Sequence, residues 1–170
     1  MSGRAREPRR GPPRAQLPLL DRLIDHEPER EHDRPLSSGE AMAMLRASVR
    51  RDLEMLLNAR RRFHSWPAGF TELETSPLAY GIPDCTAGSF NDVREREALR
   101  AEIEATIRRF EPRFVTVSVT LTDADVRLGG TLRLRVEALL HADPAPEPVS
   151  FDTVVDALTA GVVVHAREQA

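Results

Sequence analysis

The residues of this chain best placed for chemistry stand in succession at Glu111-Pro112-Arg113, a carboxylate and a guanidinium on either side of a rigid ring. Proline fixes its own φ and restricts the residue before it, so both charges are held in a set relation to what precedes and follows. Such a corner can act as a latch; the alternative is two solvated charges at an ordinary helix exit. Other reactive side chains are scattered. His26 and His32 lie among acidic residues at an offset that puts them on no common helical face, so residues 25–36 read as a solvated linker rather than a metal site. Cys85 is the single cysteine, which excludes an intrachain disulfide, leaves zinc without a ligand set and fits a reducing compartment. The triplet Arg60-Arg61-Arg62 has no interleaved aromatics and no groove-reading motif, so it reads as positive charge complementing a helix end. The Tyr80-Gly81-Ile82-Pro83-Asp84 loop lacks a nucleophile and base pair, and the chain has no phosphate loop, nucleophile elbow or HisGluxxHis. No cofactor and no metal is implied.

The corner sits where the periodicity changes. Val93, Leu99, Ile103, Ile107 and Phe110 fall near one stripe of a helix whose other faces carry Arg94, Glu95, Arg96, Arg100, Glu102, Glu104 and Arg108. Pro112 cannot continue that helix, and beyond it Val115, Val117, Val119 and Leu121 alternate with Thr116, Ser118 and Thr120 as in a half-buried strand. An earlier helix starts at Ser37, which forms a capping box with Glu40, and the pattern Met42, Leu45, Val49, Leu53, Leu56, Leu57 carries it to about Arg61. Between the two helices Trp66 is expected to anchor the core, and Phe70, Leu73, Leu78, Tyr80 and Ile82 to pin an irregular connection rich in Pro and Gly.

After the first strand, Asp123-Ala124-Asp125 and Gly129-Gly130 bound a connection to a second, where Leu132, Leu134, Val136, Ala138 and Leu140 alternate with polar residues, so the two should pair as a hairpin. Pro144, Pro146 and Pro148 allow only extended structure, and Val149–Val155 and Val162–His165 offer two more strands with a turn at Gly161. The expected fold is α+β: two principal helices and a short amino-terminal helix packed on a small antiparallel sheet of about four strands.

With 170 residues and 41% hydrophobic content, the chain buries one modest core. All 24 basic residues are arginine, a bias that a GC-rich genome produces without any phosphate-binding role. Residues 1–14 carry five arginines against Glu7 alone, which together with Arg60-Arg61-Arg62 makes a basic-arm nucleic-acid binder an alternative reading, with salt-sensitive binding as its signature; no nucleic-acid partner is expected. No run approaches the ~20 apolar residues needed to span a bilayer, and the amino terminus is too charged for a signal-peptide core. Leu17, Leu19, Leu20, Leu23 and Ile24 form a short apolar helical face that must be covered either by the chain's own core or by another protein.

Five landmarks in order carry a family resemblance: residues 19–23 (LeuLeuAspArgLeu), residues 48–62 (SerValArgArgAspLeuGluMetLeuLeuAsnAlaArgArgArg), Tyr80 to Asp84, Arg108 to Arg113, and Pro144 to Phe151. Over roughly residues 17–165 the chain resembles the TssE family of type VI secretion baseplate subunits, which falls within the contractile-phage baseplate wedge proteins historically called lysozyme-like. The resemblance implies a non-enzymatic subunit in a cytoplasmic baseplate docked at the inner membrane complex. It implies contacts with TssF, TssG and TssK, and initiation of the TssB/TssC sheath through strand addition at an exposed sheet edge, although which edge is free is not legible. It favours a partner protein as the cover for the amino-terminal leucines. Partner-binding residues are then Glu111, Pro112 and Arg113 together with Leu19, Leu20 and Leu23. The organisation that follows is a charged arm over residues 1–36 with a docking helix near 17–25, one wedge domain over 37–166 and a tail over 167–170. The historical name raises glycoside hydrolysis, which needs two carboxyls about 5 to 9 Å apart with one acting as an acid. No such pair is identifiable, and Arg113 beside Glu111 favours the ionised form. On this reading the corner is exposed, and Glu111→Ala and Arg113→Ala are expected to melt near wild type.

Overall fold

The structure, a computed structural model, describes residues 17–24, 28–29, 35–63, 65, 67, 69–84, 92–122, 131–142, 145–156, 159 and 161–167. The basic arm, His26, His32, Trp66, Cys85 and the connection from Asp123 to Gly130 lie outside the described residues, as do the expectations attached to them. Three α-helices, α1 (Leu19–Leu23), α2 (Ser38–Asn58) and α3 (Val93–Phe110), accompany four strands, β1 (Phe114–Leu121), β2 (Thr131–Leu140), β3 (Glu147–Asp156) and β4 (Val162–Arg167). The strands form one antiparallel sheet in the order β1-β2-β3-β4, so the fold is α+β as the periodicities predict.

Each boundary has a local cause. At the start of α2 the Glu40 amide donates to Ser37 Oγ (3.2 Å) while the Ser37 amide donates to Glu40 Oε2 (2.8 Å), closing the capping box. The helix stops at Asn58, three residues before the expected end at Arg61, because the backbone there turns to pair with the loop. The Ile82 amide donates to the Ala59 carbonyl (3.1 Å) and the Arg61 amide to the Ile82 carbonyl (2.9 Å). That close approach needs Gly81, whose φ is 102° and where a Cβ would meet the Ala59 oxygen at 2.4 Å. Arg60 donates from Nη1 to the Leu57 carbonyl (2.9 Å) and so serves the helix end, whereas Arg61 donates from Nη2 to Glu102 Oε1 of α3 (2.7 Å). Asp92 caps α3 by accepting from the Arg94 amide (2.8 Å).

The core lies between one face of the sheet and the two long helices. Leu53 and Leu57 of α2 and Ile103 and Ile107 of α3 meet Leu134, Val136, Phe151, Val155 and Val164 of the sheet. Val93, assigned to the buried stripe of α3 by its spacing, is exposed in the first turn of that helix. In the connection, two short 3₁₀ turns (Thr71–Thr75 and Pro77–Ala79) are held by Ala79 and Ile82, while Phe70 and Leu78, expected to pin it, face outward. β3 begins at Glu147 and takes in Pro148 opposite Leu139. Strand β4 ends opposite Ser150, so the missing proline N–H falls where no described neighbour needs it. No described helix is long and apolar enough to cross a membrane.

Candidate functional site: a buried corner, an outward helix and two capped edges

Pro112 ends α3 and β1 starts two residues later, which leaves Glu111 as the helix C-cap, folded inward. Glu111 is 5% exposed. Its carboxylate is gripped on both oxygens by Arg113: Nε donates to Oε1 at 2.5 Å, and Nη2 donates to Oε2. The same guanidinium reaches α2, where Nη2 donates to Asp52 Oδ2 (2.8 Å) and Nη1 to Ser48 Oγ (3.4 Å). From Ser48 the network continues outward. Its hydroxyl donates to Asp21 Oδ2 (2.6 Å) in α1, and Arg51 bridges Asp21 Oδ1 (2.8 Å) and Asp52 Oδ1 (3.1 Å). One chain of charge-assisted bonds thus joins α1, the middle of α2 and the turn from α3 into β1.

The electrostatics follow the contacts. Burial alone would lower the Arg113 pKa, but its hydrogen bonds and charge interactions with Glu111 and then Asp52 outweigh that and hold it above the ordinary arginine value. Hydrogen bonds from Arg51 first and Ser48 second hold the Asp21 carboxyl below its ordinary value. Arg51 is correspondingly raised, chiefly by its bond to Asp21. Burial pushes the nearby Tyr80 phenol up, with the negative charges of Asp52 and Glu111 adding to it.

The latch reading of the corner therefore holds, and the expectation of an exposed corner does not. Glu111 is inside the fold because α2 supplies Asp52 and Ser48 as further partners for Arg113, residues that chain order leaves 61 and 65 positions away. Outside the latch lies a cleft of about 340 Å³ walled by Tyr80, Phe110, Pro112, Pro18 and Leu56, with Tyr80 and Phe110 packed edge to face at 5.4 Å between centroids. Two carboxylates, Asp52 and Glu111, line this cleft, a pairing that the sequence alone does not reveal. Both accept hydrogen bonds from Arg113, Glu111 on both of its oxygens and Asp52 on Oδ2. Ser48, Arg51 and Asp52 lie at i, i+3 and i+4 on α2, a polar stripe beside the apolar one. That spacing was the available signal for them.

Helix α1 is attached by its polar side. Asp21 bonds to α2 and Leu17 packs on the core, while Leu19, Leu20 and Leu23 are 68%, 59% and 72% exposed. Among the described residues, then, the leucine face is not covered by the chain's own core.

Both edges of the sheet carry side-chain caps. At β1 the Val119 amide donates to Glu104 Oε2 (3.1 Å), while Arg100 and Arg108 of α3 donate to the carbonyls of Val119 (3.0 Å) and Val117 (3.3 Å). At β4, Asn58 pairs with both backbone groups of Val162 (2.9 and 2.8 Å), and Arg50 donates to the Val164 carbonyl (3.2 Å).

A comparison with protein families matches the chain to the family described as baseplate wedge protein gp25, over residues 43–145. The chain belongs to that family. No curated protein matches it. The matched span contains Ser48, Arg51, Asp52, Glu111 and Arg113, together with β1, β2 and the helix that caps the β1 edge, whereas Asp21 and the leucines of α1 precede it. Membership makes the general role of this wedge-family chain that of a structural baseplate component.

Proposed function

We propose that this chain is the TssE-type wedge subunit of a type VI secretion baseplate, acting without catalysis to join TssF, TssG and TssK and to start the TssB/TssC sheath in the cytoplasm. The carrying observation is wedge-family membership combined with a polar corner whose charges are already spent on one another. Charges paired internally in this way support a role in positioning surfaces over one in turning over a substrate. Among the described residues, two surfaces suit the wedge partners: the outward leucines of α1, and the aromatic cleft over Glu111, Pro112 and Arg113. Both are tied to the same network, so a wedge partner that grips the cleft and one that covers Leu19, Leu20 and Leu23 would engage a single rigid unit. The five landmarks read in order favour the type VI system over other contractile tails. Sheath strands would add at the β4 edge beyond Val164, where the caps end and Ala166 and Arg167 border an open concavity with Arg46 and Phe151.

The test is co-expression of the chain with TssF and TssG, followed by co-purification and imaging of sheath in cells lacking the native gene. Stable co-purification and restored sheaths are expected. Clearing of peptidoglycan by the purified protein that disappears in Glu111→Gln would replace the structural reading with an enzymatic one.

A further inference from the structure

The β1 edge is protected by an unusual division of labour. Its eight residues, Phe114–Leu121, include no charge, no proline and no glycine, the composition of a strand prone to pair with another. The other three strands carry charges of their own, among them Arg135, Asp152 and Arg167. Among the described residues, the charge that meets the outer backbone groups of β1 comes from α3. Arg100, Glu104 and Arg108 recur at four-residue steps, a rise of ~6 Å along a helix, which tracks the ~6.8 Å between alternate residues of a strand. They form a stripe separate from the core residues Ile103 and Ile107, so packing does not account for them. Glu104 takes the Val119 amide as well as both arginines, and those bonds, from Arg108 first, hold its carboxyl below the ordinary value.

The register says what the stripe excludes. The Thr122 amide donates to the Arg133 carbonyl, so even-numbered residues of β1 bond to β2, and Val117 and Val119 turn their backbone groups outward. Two copies of β1 meeting antiparallel about Ser118 would set Val117 of one against Val119 of the other, each pair exchanging two N–H···O bonds. Three of the four backbone groups such a pair needs are the ones α3 holds: the Val117 carbonyl, the Val119 amide and the Val119 carbonyl. No charge on β1 would oppose the meeting. We propose that Arg100, Glu104 and Arg108 form an edge guard that prevents β1 from pairing with β1 of a second copy of this chain, and that its removal yields a dimer with a continuous sheet.

The full chain carrying Arg100→Ala, Glu104→Ala and Arg108→Ala, compared with wild type by sedimentation velocity over a wide concentration range, tests this. Wild type is expected to stay monomeric and the triple variant to dimerise with concentration. Adding Ser118→Lys, which sets two lysines against each other across the two-fold axis, should restore the monomer. A triple variant that is folded and monomeric throughout, or a dimer indifferent to Ser118→Lys, overturns the proposal. Should circular dichroism show that the triple variant does not fold, Glu104→Ala alone decides by hydrogen exchange. In protein dilute enough to be monomeric, its Val119 amide should exchange about tenfold faster or more, while Ser118 and Thr120, bonded to β2, keep their protection. Equal acceleration at all three, or none at Val119, overturns it.

Discussion

Replacing Glu111 with alanine separates a latch from a surface charge. The substitution removes a buried carboxylate and leaves Arg113, whose side chain is 23% exposed, with Asp52 and Ser48 as its remaining partners. Breaking a buried ion pair by deleting one member costs about 3–5 kcal/mol when the other charge is stranded. Arg113 is not stranded, since Asp52 still accepts from Nη2 and solvent reaches part of the group. The loss is thus about 2–3 kcal/mol, nearer the value of charged hydrogen bonds than that of an orphaned ion. In a chain of this size each kcal/mol moves the melting temperature by roughly 2–4 °C, so Glu111→Ala should melt about 5–10 °C below wild type. Glu111→Gln keeps the shape and one acceptor and should fall between. Arg113→Ala should cost at least as much as Glu111→Ala, because it leaves the more deeply buried partner without its bidentate donor. The double alanine variant should cost clearly less than the sum of the two, since each single change already breaks the same pair. Thermal and urea unfolding followed by circular dichroism give these numbers. If Glu111→Ala melts within about 2 °C of wild type, or the two changes simply add, the corner is not a latch and the packing argument fails.

Exchanging Leu20 and Leu23 together for Asp should change folding stability by less than about 1 kcal/mol, since both face outward, yet abolish co-purification with wedge subunits; a large drop in melting temperature would place the leucines in the chain's own core. Leu134→Pro removes a ladder amide and a buried side chain from the middle of β2, between β1 and β3, so the sheet should unfold and sheath assembly fail; a folded variant with normal sheaths would refute the strand's role. The anchor of α1 should depend on pH with a definite sign. Because the folded Asp21 carboxyl titrates below its ordinary value of 3.8, its stabilisation is full above ~pH 5 and lost as pH falls through the depressed value. Asp21→Asn should therefore melt below wild type at neutral pH and converge with it in acid, and a constant gap down to the acid limit would remove Asp21 from the network.

Period alone determined much of this protein. The step from 3.6 to 2 across Pro112, the Ser37 and Glu40 cap, and the alternation in β2 and β3 each depend on residues a few positions apart, where side-chain direction follows directly from backbone geometry. The Glu111-Pro112-Arg113 corner was legible for the same reason, as were the helix count and the antiparallel hairpin. What tertiary structure decided is everything that needed a partner from far along the chain. Asp52 and Ser48 meet Arg113, and Asp21 meets Ser48, only because α2 packs under the corner, and that meeting turned an expected surface pair into a buried latch. The same packing settled the side by which α1 attaches: Asp21 found two partners on α2 and the leucines were left outside. It also laid α3 and α2 along opposite edges of the sheet, where Arg100, Glu104, Arg108, Arg50 and Asn58 cap backbone groups that the strands' own pattern leaves open. Local periodicity selects an element's faces, but which charge lies within three ångströms of which is set by how those faces are stacked.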